Sequence, residues 1–206
     1  MILLLFGRPG CGKGTQGRLL SQWLGIPCVS TGALLRASTD EALKKRLGSG
    51  SFASDEVVNK LVRERLNAPA PELILDGYPR TITQAHYLDG LIAERGFARP
   101  VSIHFEVEAE VLIARLAGRR QCTSCGRVYN LRVDPPLRAD QCDDCGSALS
   151  QRDDDAIATV RRRLDIYENL TAPVVEHYRA AGFLDLNGDR PPADVFADVQ
   201  RALNRK

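Results

Sequence analysis

The chain has 206 residues, 44% of them hydrophobic, with a formal net charge of +2. That length holds one sizeable α/β core with small insertions, the composition is that of an ordered globular protein, and so weak a charge gives no field pointing to nucleic acid. No apolar run approaches the ~20 residues needed to span a bilayer.

Met1 leads straight into the apolar run Ile2–Phe6 with no signal-peptide pattern ahead of it, so a cytoplasmic location is expected. The run reads as a short buried strand. It empties into Gly7-Arg8-Pro9-Gly10-Cys11-Gly12-Lys13-Gly14-Thr15, and this turn opens a helix. Such glycines let the backbone aim several N–H groups into one concavity, to which the helix N-terminus and Lys13 add positive charge. The stretch matches the phosphate-binding pattern G-x-x-x-x-G-K-[ST] with one departure: Gly14 stands where a hydroxyl would ligate magnesium, and Thr15 comes one residue late. The surroundings of Cys11 are cationic and favour its thiolate.

Further strands are expected at Cys28–Val29, Leu73–Leu75, Val101–Val107 and Phe183–Leu186. Cys28 reads as a packing residue. Helical stripes lie between the strands: Val57, Val58, Leu61, Val62 and Leu66 after an N-cap at Ser54, then Ile157, Val160, Leu164 and Tyr167, then Val195, Val199 and Leu203. Strands alternating with helices imply a doubly wound parallel sheet of five strands flanked by helices, whose ligands bind outside the carboxyl ends of the strands. Two segments break the rhythm, residues 30–53 and 118–155, and both read as insertions over the mouth of the sheet. Asp76 ends an apolar strand, where phosphate-loop proteins place a carboxylate that reaches magnesium directly or through water. In Arg161-Arg162-Arg163 successive side chains are turned ~100° apart, so only one can face a pocket. Arg163 borders the apolar stripe and is the inward candidate. His86, His104 and His177 have no ligand or catalytic spacing and read as structural.

Cys122-x-x-Cys125 and Cys142-x-x-Cys145 are separated by sixteen residues, a spacing that suits one tetrahedral zinc. Iron or disulfides are the alternatives for the same sulfurs, the latter disfavoured without a secretion signal. Gly126 and Gly146 follow the second cysteine of each pair, where a tight turn frees N–H groups for the thiolates. Four cysteines fill the shell and leave no position for a substrate, so the metal is expected to be structural, stapling a segment with no core of its own.

The loop GxPGxGKGT resembles the nucleoside monophosphate kinase branch of the phosphate-loop proteins. Ser30-Thr31-Gly32-Ala33-Leu34-Leu35-Arg36 and Asp76-Gly77-Tyr78-Pro79-Arg80-Thr81, continuing to Gln84, sharpen this to a resemblance to adenylate kinases, which carry STGDxLR and DGFPRTxxQ there. Gly118-Arg119-Arg120, Arg152-x-Asp154-Asp155, Arg163-Leu164 and Leu170-Thr171-Ala172-Pro173 also match, and the likeness runs from residue 5 to about 191. It implies reversible phosphoryl transfer, MgATP + AMP giving two ADP, in a monomer without nucleic-acid or membrane partners.

The same resemblance implies the domains: a core of residues 1–29, 54–117 and 156–206, an AMP-binding insertion of 30–53, and a zinc-binding lid of 118–155. Gly118 and residues 150–153 are the implied hinges. On the ATP side it implies Gly10, Cys11, Gly12, Lys13, Gly14, Thr15, Arg115, Arg119 and Arg190. On the AMP side it implies Thr31, Gly32, Arg36, Phe52, Ala53, Gly77, Arg80, Gln84, Arg152 and Arg163. Lys13, Arg80, Arg119, Arg152 and Arg163 would act on the migrating phosphoryl group. Asp76 would hold magnesium through water, and Cys122, Cys125, Cys142 and Cys145 a structural zinc.

Three features depart from the family pattern. Ala33 replaces an Asp that helps hold magnesium-bound water, which predicts weaker magnesium binding. The stretch 37–50 is shorter than is common by roughly two helical turns, and Tyr78 stands for Phe. Other readings are a kinase of the same class acting on UMP, CMP or GMP, and a regulatory pseudo-kinase lacking turnover. A zinc-ribbon nucleic-acid-binding protein switched by ATP is a third, opposed by the weak net charge and the absence of an aromatic-basic stripe.

Overall fold

The computed structural model describes residues 1–67, 72–180 and 182–204. Residues 68–71, 181 and 205–206, which fall within the expected core segments, lie outside the described residues.

The first apolar run is strand β1 (Ile2–Phe6), and its side chains alternate between two cores. Ile2, Leu4 and Phe6 face one, and Leu3 and Leu5 face the other. A strand buried on both faces needs the continuous apolar run this one has. Helix α1 (Lys13–Leu24) follows the glycine loop, then β2 (Cys28–Ser30), helices α2 (Thr31–Arg36), α3 (Glu41–Gly48) and α4 (Asp55–Arg65), and β3 (Leu73–Asp76). Next come α5 (Ile82–Glu94), β4 (Val101–Glu106) and α6 (Ala109–Ala117). After the lid, α7 (Ile157–Ile166), α8 (Ala172–Arg179), β8 (Phe183–Asn187) and α9 (Pro192–Leu203) complete the core.

The five core strands form one parallel sheet in the order β2-β3-β1-β4-β8. One core packs α4, α5 and α8 on the sheet through residues such as Val62, Leu88 and Val174. The other packs α1, α6, α7 and α9 through Leu20, Leu112, Val160 and Val199. Each fully buried Val or Leu of this kind contributes about 1.5–3 kcal/mol. The register pairs Leu5 of β1 with Asp76 of β3, so the loop after β1 and the carboxylate ending β3 stand side by side at the carboxyl edge.

Residues 119–150 hold a separate three-stranded antiparallel sheet, β6-β5-β7, of β5 (Arg119–Cys122), β6 (Val128–Asn130) and β7 (Leu149–Ser150). Its core is only Cys122, Tyr129, Cys142 and Leu149.

Several local expectations change. The expected strand at 28–29 extends to Ser30 and that at 101–107 stops at Glu106, although Val107 stays buried. Ser54 sits at the N-cap of α4 but its side chain makes no capping hydrogen bond; Asp55 and Glu56 in the first turn face the helix dipole instead. Ile157 is 56% exposed and stands outside the apolar stripe: it opens α7 on the solvent side of the first turn, while Val160 of the same turn is buried. Tyr167 is buried but belongs to a π-helical turn, Tyr167–Thr171, that joins α7 to α8. Such turns recur at functional sites. Here the turn brings Thr171 Oγ1 to within 3.0 Å of the Arg80 carbonyl, to which it donates, and Glu168 to within 2.6 Å of Arg8 Nε in the glycine loop.

Candidate active site

All residues with an expected nucleotide contact line one cleft of about 1050 Å³, roofed by the insertions and floored by the carboxyl edge of the sheet. Gly7, Gly10 and Gly12 all have positive φ, and a Cβ on Gly7 would lie 2.5 Å from Cys11 Sγ and 2.6 Å from the Phe105 carbonyl. Only glycine fits there. Lys13 opens α1, and its ammonium donates to the carbonyls of Gly7 at 2.6 Å and Arg8 at 3.0 Å, folded over the loop. Cys11 Sγ is 3.5 Å from that ammonium, yet the residue is only 3% exposed, so it packs as a core side chain and is shielded from reagents. Cys28 is partly buried, and burial first, then the charge of Asp76, pushes its thiol up to about 12, in keeping with a packing role. Asp76 Oδ2 faces Gly14, and Asp76 forms no ion pair among the described residues. A free carboxylate beside a phosphate-binding loop is the oxygen donor that hydrated magnesium takes.

On the opposite wall, Thr31 begins α2 and its hydroxyl donates to the Gly77 carbonyl at 2.8 Å. Gln84 is 2% exposed. Its Oε1 accepts from the Arg80 N–H at 2.8 Å and its Nε2 donates to Asp55 Oδ1 at 2.7 Å. Thr81 caps α5, accepting from the Gln84 N–H at 3.1 Å while donating to Asp55 Oδ2 at 3.0 Å. Gly77, at φ 77°, lets Arg80 Nε reach its carbonyl at 2.8 Å, and the Arg80 guanidinium lies 5.0 Å from the centre of the Phe52 ring. Gly32 and Ala33 line the same wall, as does Ala53. The hydroxyl of Tyr78, absent from Phe, donates to Asn59 Oδ1 on α4 at 2.7 Å, which accommodates the extra polar atom in a buried site.

Between the walls five arginines converge. Arg36 has no hydrogen-bond or ion-pair partner among the described residues. Burial first, then the charge of Arg152, lowers its pKa to about 10. Burial lowers Arg80 as well. A half-buried guanidinium with no ion pair is a ready partner for an anion. Arg119, Arg152 and Arg163 are held instead by a pair of aspartates. Arg119 grips Asp155 bidentately, with Nε at 2.7 Å from Oδ2, and Arg152 Nε is 2.8 Å from Asp154 Oδ1. Arg163 Nη1 reaches Asp154 at 3.1 Å and Asp155 at 3.4 Å. Burial would raise the Asp154 carboxyl, but Arg163 and Arg152 hold it below its ordinary value. Arg161 and Arg162 are exposed on the outer side of α7, as the helical rotation requires. Arg115 binds the Gly188 carbonyl and Asp189, and Arg190 binds Asp198, all at the far end of the cleft.

The four lid cysteines lie with all sulfurs within 4.8 Å of one another. Cys122 and Cys145 are 3.5 Å apart, as are Cys125 and Cys142. A tetrahedron with Zn–S bonds of ~2.3 Å has edges of ~3.8 Å, so this donor set fits zinc. Hydrogen bonds with Ser147 hold the Cys145 thiol down to about 6, and the Tyr129 hydroxyl lowers Cys142. Cys125 goes the other way. Although the Arg127 N–H lowers it, desolvation and its three sulfur neighbours push it up to about 12, a trend that a central dication reverses. The N–H groups of Gly126 and Gly146 go to the carbonyls of Cys122 and Cys142 rather than to sulfur; the donor to Cys122 Sγ is the N–H of Cys125, at 3.4 Å. Two histidines serve as helix and strand ties, His177 pairing with Asp89 and His104 with Asp185, while the His86 ring packs on that of His177.

Sequence reading missed Asp55, Asp154 and Asp155 as members of the site. The last two lie within a matched motif, two and three positions after an assigned arginine, which is signal enough to find them. Asp55 looks like any acidic residue in a first helical turn.

Comparison with known proteins follows the same line. The family model described as Adenylate kinase matches residues 5–183. An adenylate kinase of Anaeromyxobacter dehalogenans is 42% identical over 214 residues, covering all of both chains. One from Syntrophotalea carbinolica is 42% identical over 98% of each chain, and one from Moorella thermoacetica 42% identical over all of this chain and 99% of its own.

Proposed function

The chain belongs to the adenylate kinase family, and on that premise we propose how its own residues transfer a phosphoryl group from ATP to AMP to give two ADP. The observation that carries the reading is the pair Arg36 and Arg80: two half-buried guanidinium groups with no ion pair among the described residues, on the wall opposite the glycine loop. They clamp the AMP phosphate, while Thr31 and Gln84 meet its adenine and Gly32, Phe52, Ala53 and Gly77 shape the pocket. The N–H groups of residues 10–15 cradle the ATP phosphates. Arg115 and Arg190 flank the ATP base.

Lys13, Arg119, Arg152 and Arg163 surround the migrating group together with Arg80. Charge in that transition state spreads over three equatorial oxygens, so positioned cations do most of the catalysis. No general base is required, since the attacking phosphate is already ionised near neutral pH. Arg119 and Arg152 stand at the two ends of the lid, residues 118–155, so lid closure over residues 30–53 and the core delivers them and excludes water as a competing acceptor.

Magnesium, when bound, would offset phosphate charge, and Asp76 would hold it through water. Cys122, Cys125, Cys142 and Cys145 would hold zinc, which would fix the shape of the lid without a part in the chemistry. A cleft complete within one chain is compatible with action as a monomer, and cysteines paired as metal knuckles rather than as disulfides suit the cytoplasm. No described helix is long and apolar enough to cross a membrane.

The test is ADP formation from MgATP with AMP, UMP, CMP and GMP in parallel. AMP is expected to be the fast acceptor. A different preferred acceptor would reassign the wall formed by Thr31 and Gln84, and no turnover with any acceptor in folded, zinc-loaded protein would replace catalysis with a regulatory role. The family's missing carboxylate gives a second expectation. Ala33→Asp should shift the magnesium titration of the rate to lower concentration, since oxygen ligands and their charge set affinity for hard cations. An unchanged titration would remove position 33 from the magnesium site.

A further inference from the structure

We infer that Asp55 determines the choice of adenine over guanine by fixing which way round the Gln84 amide stands. The inference rests on the reading of Gln84 as the group that meets the adenine.

A glutamine amide is nearly symmetric in shape but opposite in chemistry at its two ends. Turned one way it offers N–H to a ring acceptor and C=O to an amino group. Turned by 180° it offers the reverse. Adenine presents a ring nitrogen acceptor beside an amino donor, whereas guanine presents a ring N–H donor beside a carbonyl acceptor. An amide free to turn serves both bases; an amide that cannot turn serves one.

Here the amide is held at both ends. The Arg80 N–H occupies one lone pair of Oε1 at 2.8 Å, and Asp55 Oδ1 takes one hydrogen of Nε2 at 2.7 Å. One lone pair and one N–H remain for a ligand. Turning the group would set amide hydrogens against the Arg80 N–H and its oxygen against the Asp55 carboxylate, two repulsive contacts in a side chain that is almost fully buried. Asp55 is itself fixed by its second oxygen, which accepts from the Thr81 hydroxyl at 3.0 Å, while Thr81 Oγ1 accepts from the backbone N–H of Gln84. The carboxylate, the threonine and the glutamine therefore form one closed network across the start of α4 and α5. Asp55 touches no reacting atom; it is a positioning residue.

The experiment compares kcat and KM for AMP and GMP in the zinc-loaded full chain. Asp55→Asn replaces the acceptor by a group that can also donate to a turned Gln84. The expected result is a rise of ~3–10-fold in KM for AMP with kcat within ~2-fold, and a fall of ~10-fold or more in the AMP:GMP ratio of kcat/KM. Asp55→Ala removes the acceptor without supplying a donor, and should raise the AMP KM while gaining less on GMP. Glu56→Gln takes a charge from the same helix end without touching Gln84, and should leave the ratio unchanged. If Glu56→Gln lowers the ratio as much as Asp55→Asn does, the effect is one of helix stability and the inference falls.

Gln84→Ala separates the inference from the reading beneath it. Loss of AMP preference in Gln84→Ala with full preference kept in Asp55→Asn overturns the role of Asp55 alone. Unchanged preference in Gln84→Ala overturns the reading of Gln84 and the inference with it.

Discussion

Replacing Lys13 by alanine is expected to cut kcat by at least ~100-fold, about 2.7 kcal/mol of transition-state stabilisation, while changing the KM for AMP little. The asymmetry follows from position. Lys13 begins α1 and its ammonium is carried by the carbonyls of Gly7 and Arg8, on the loop that flanks Asp76, while Arg36, Arg80 and Gln84 form the other wall. On the proposed role the charge acts on the phosphoryl group in flight rather than on holding the acceptor. Its removal also leaves two loop carbonyls without their donor. A coupled assay of ADP formation, run at saturating and limiting AMP, measures both constants. Near-normal turnover would take Lys13 out of the chemistry.

Cys142→Ala is expected to release about one zinc per chain and to melt the lid ahead of the sheet. The lid core comprises Cys122, Tyr129, Cys142 and Leu149, so the substitution removes one of its four members together with a metal ligand. Structural zinc contributes of order 10 kcal/mol to the folding of the segment that binds it. The two cores on the faces of the parallel sheet share no residue with the lid core and stay intact. Metal analysis after dialysis and a calorimetric melt check the expectation. A loss of even ~3 kcal/mol in a chain of this size moves a melting transition by roughly 6–12 °C. Unchanged metal content would rule out the four-cysteine site.

The parts of this molecule that could be read from its sequence are those whose cause is local. β1 is an unbroken apolar run because both faces are covered. The glycine loop needs backbone conformations that only glycine adopts freely, and the four cysteines come as two knuckles. What escaped reading depends on groups distant in the chain. Ser54 precedes a helix and has the right chemistry for a cap, but its side chain makes no such bond. Ile157 has helical spacing but lies on the solvent side of its turn. The short polar segment after residue 30 gains helices α2 and α3, capped by Ser30 and Asp40. Asp55 meets Gln84 across 29 positions, and no pattern of hydrophobicity marks that meeting. The same holds for Arg8 and Glu168, 160 positions apart.

The two aspartates at the base of the lid bear on how the enzyme lives among the abundant small anions of a cell. Five arginines gathered with no countercharge would trap free phosphate or sulfate and stay clogged. Asp154 and Asp155 occupy three of those arginines from within, so an incoming anion must displace a two-pronged, partly desolvated bond before it gains anything. A lone dianion reaching one or two of these three guanidinium groups loses that exchange, whereas Arg36 and Arg80 stay open to it. A chain of phosphates anchored by its base reaches several at once and wins it. At those three arginines the aspartates thus set a threshold of charge and reach.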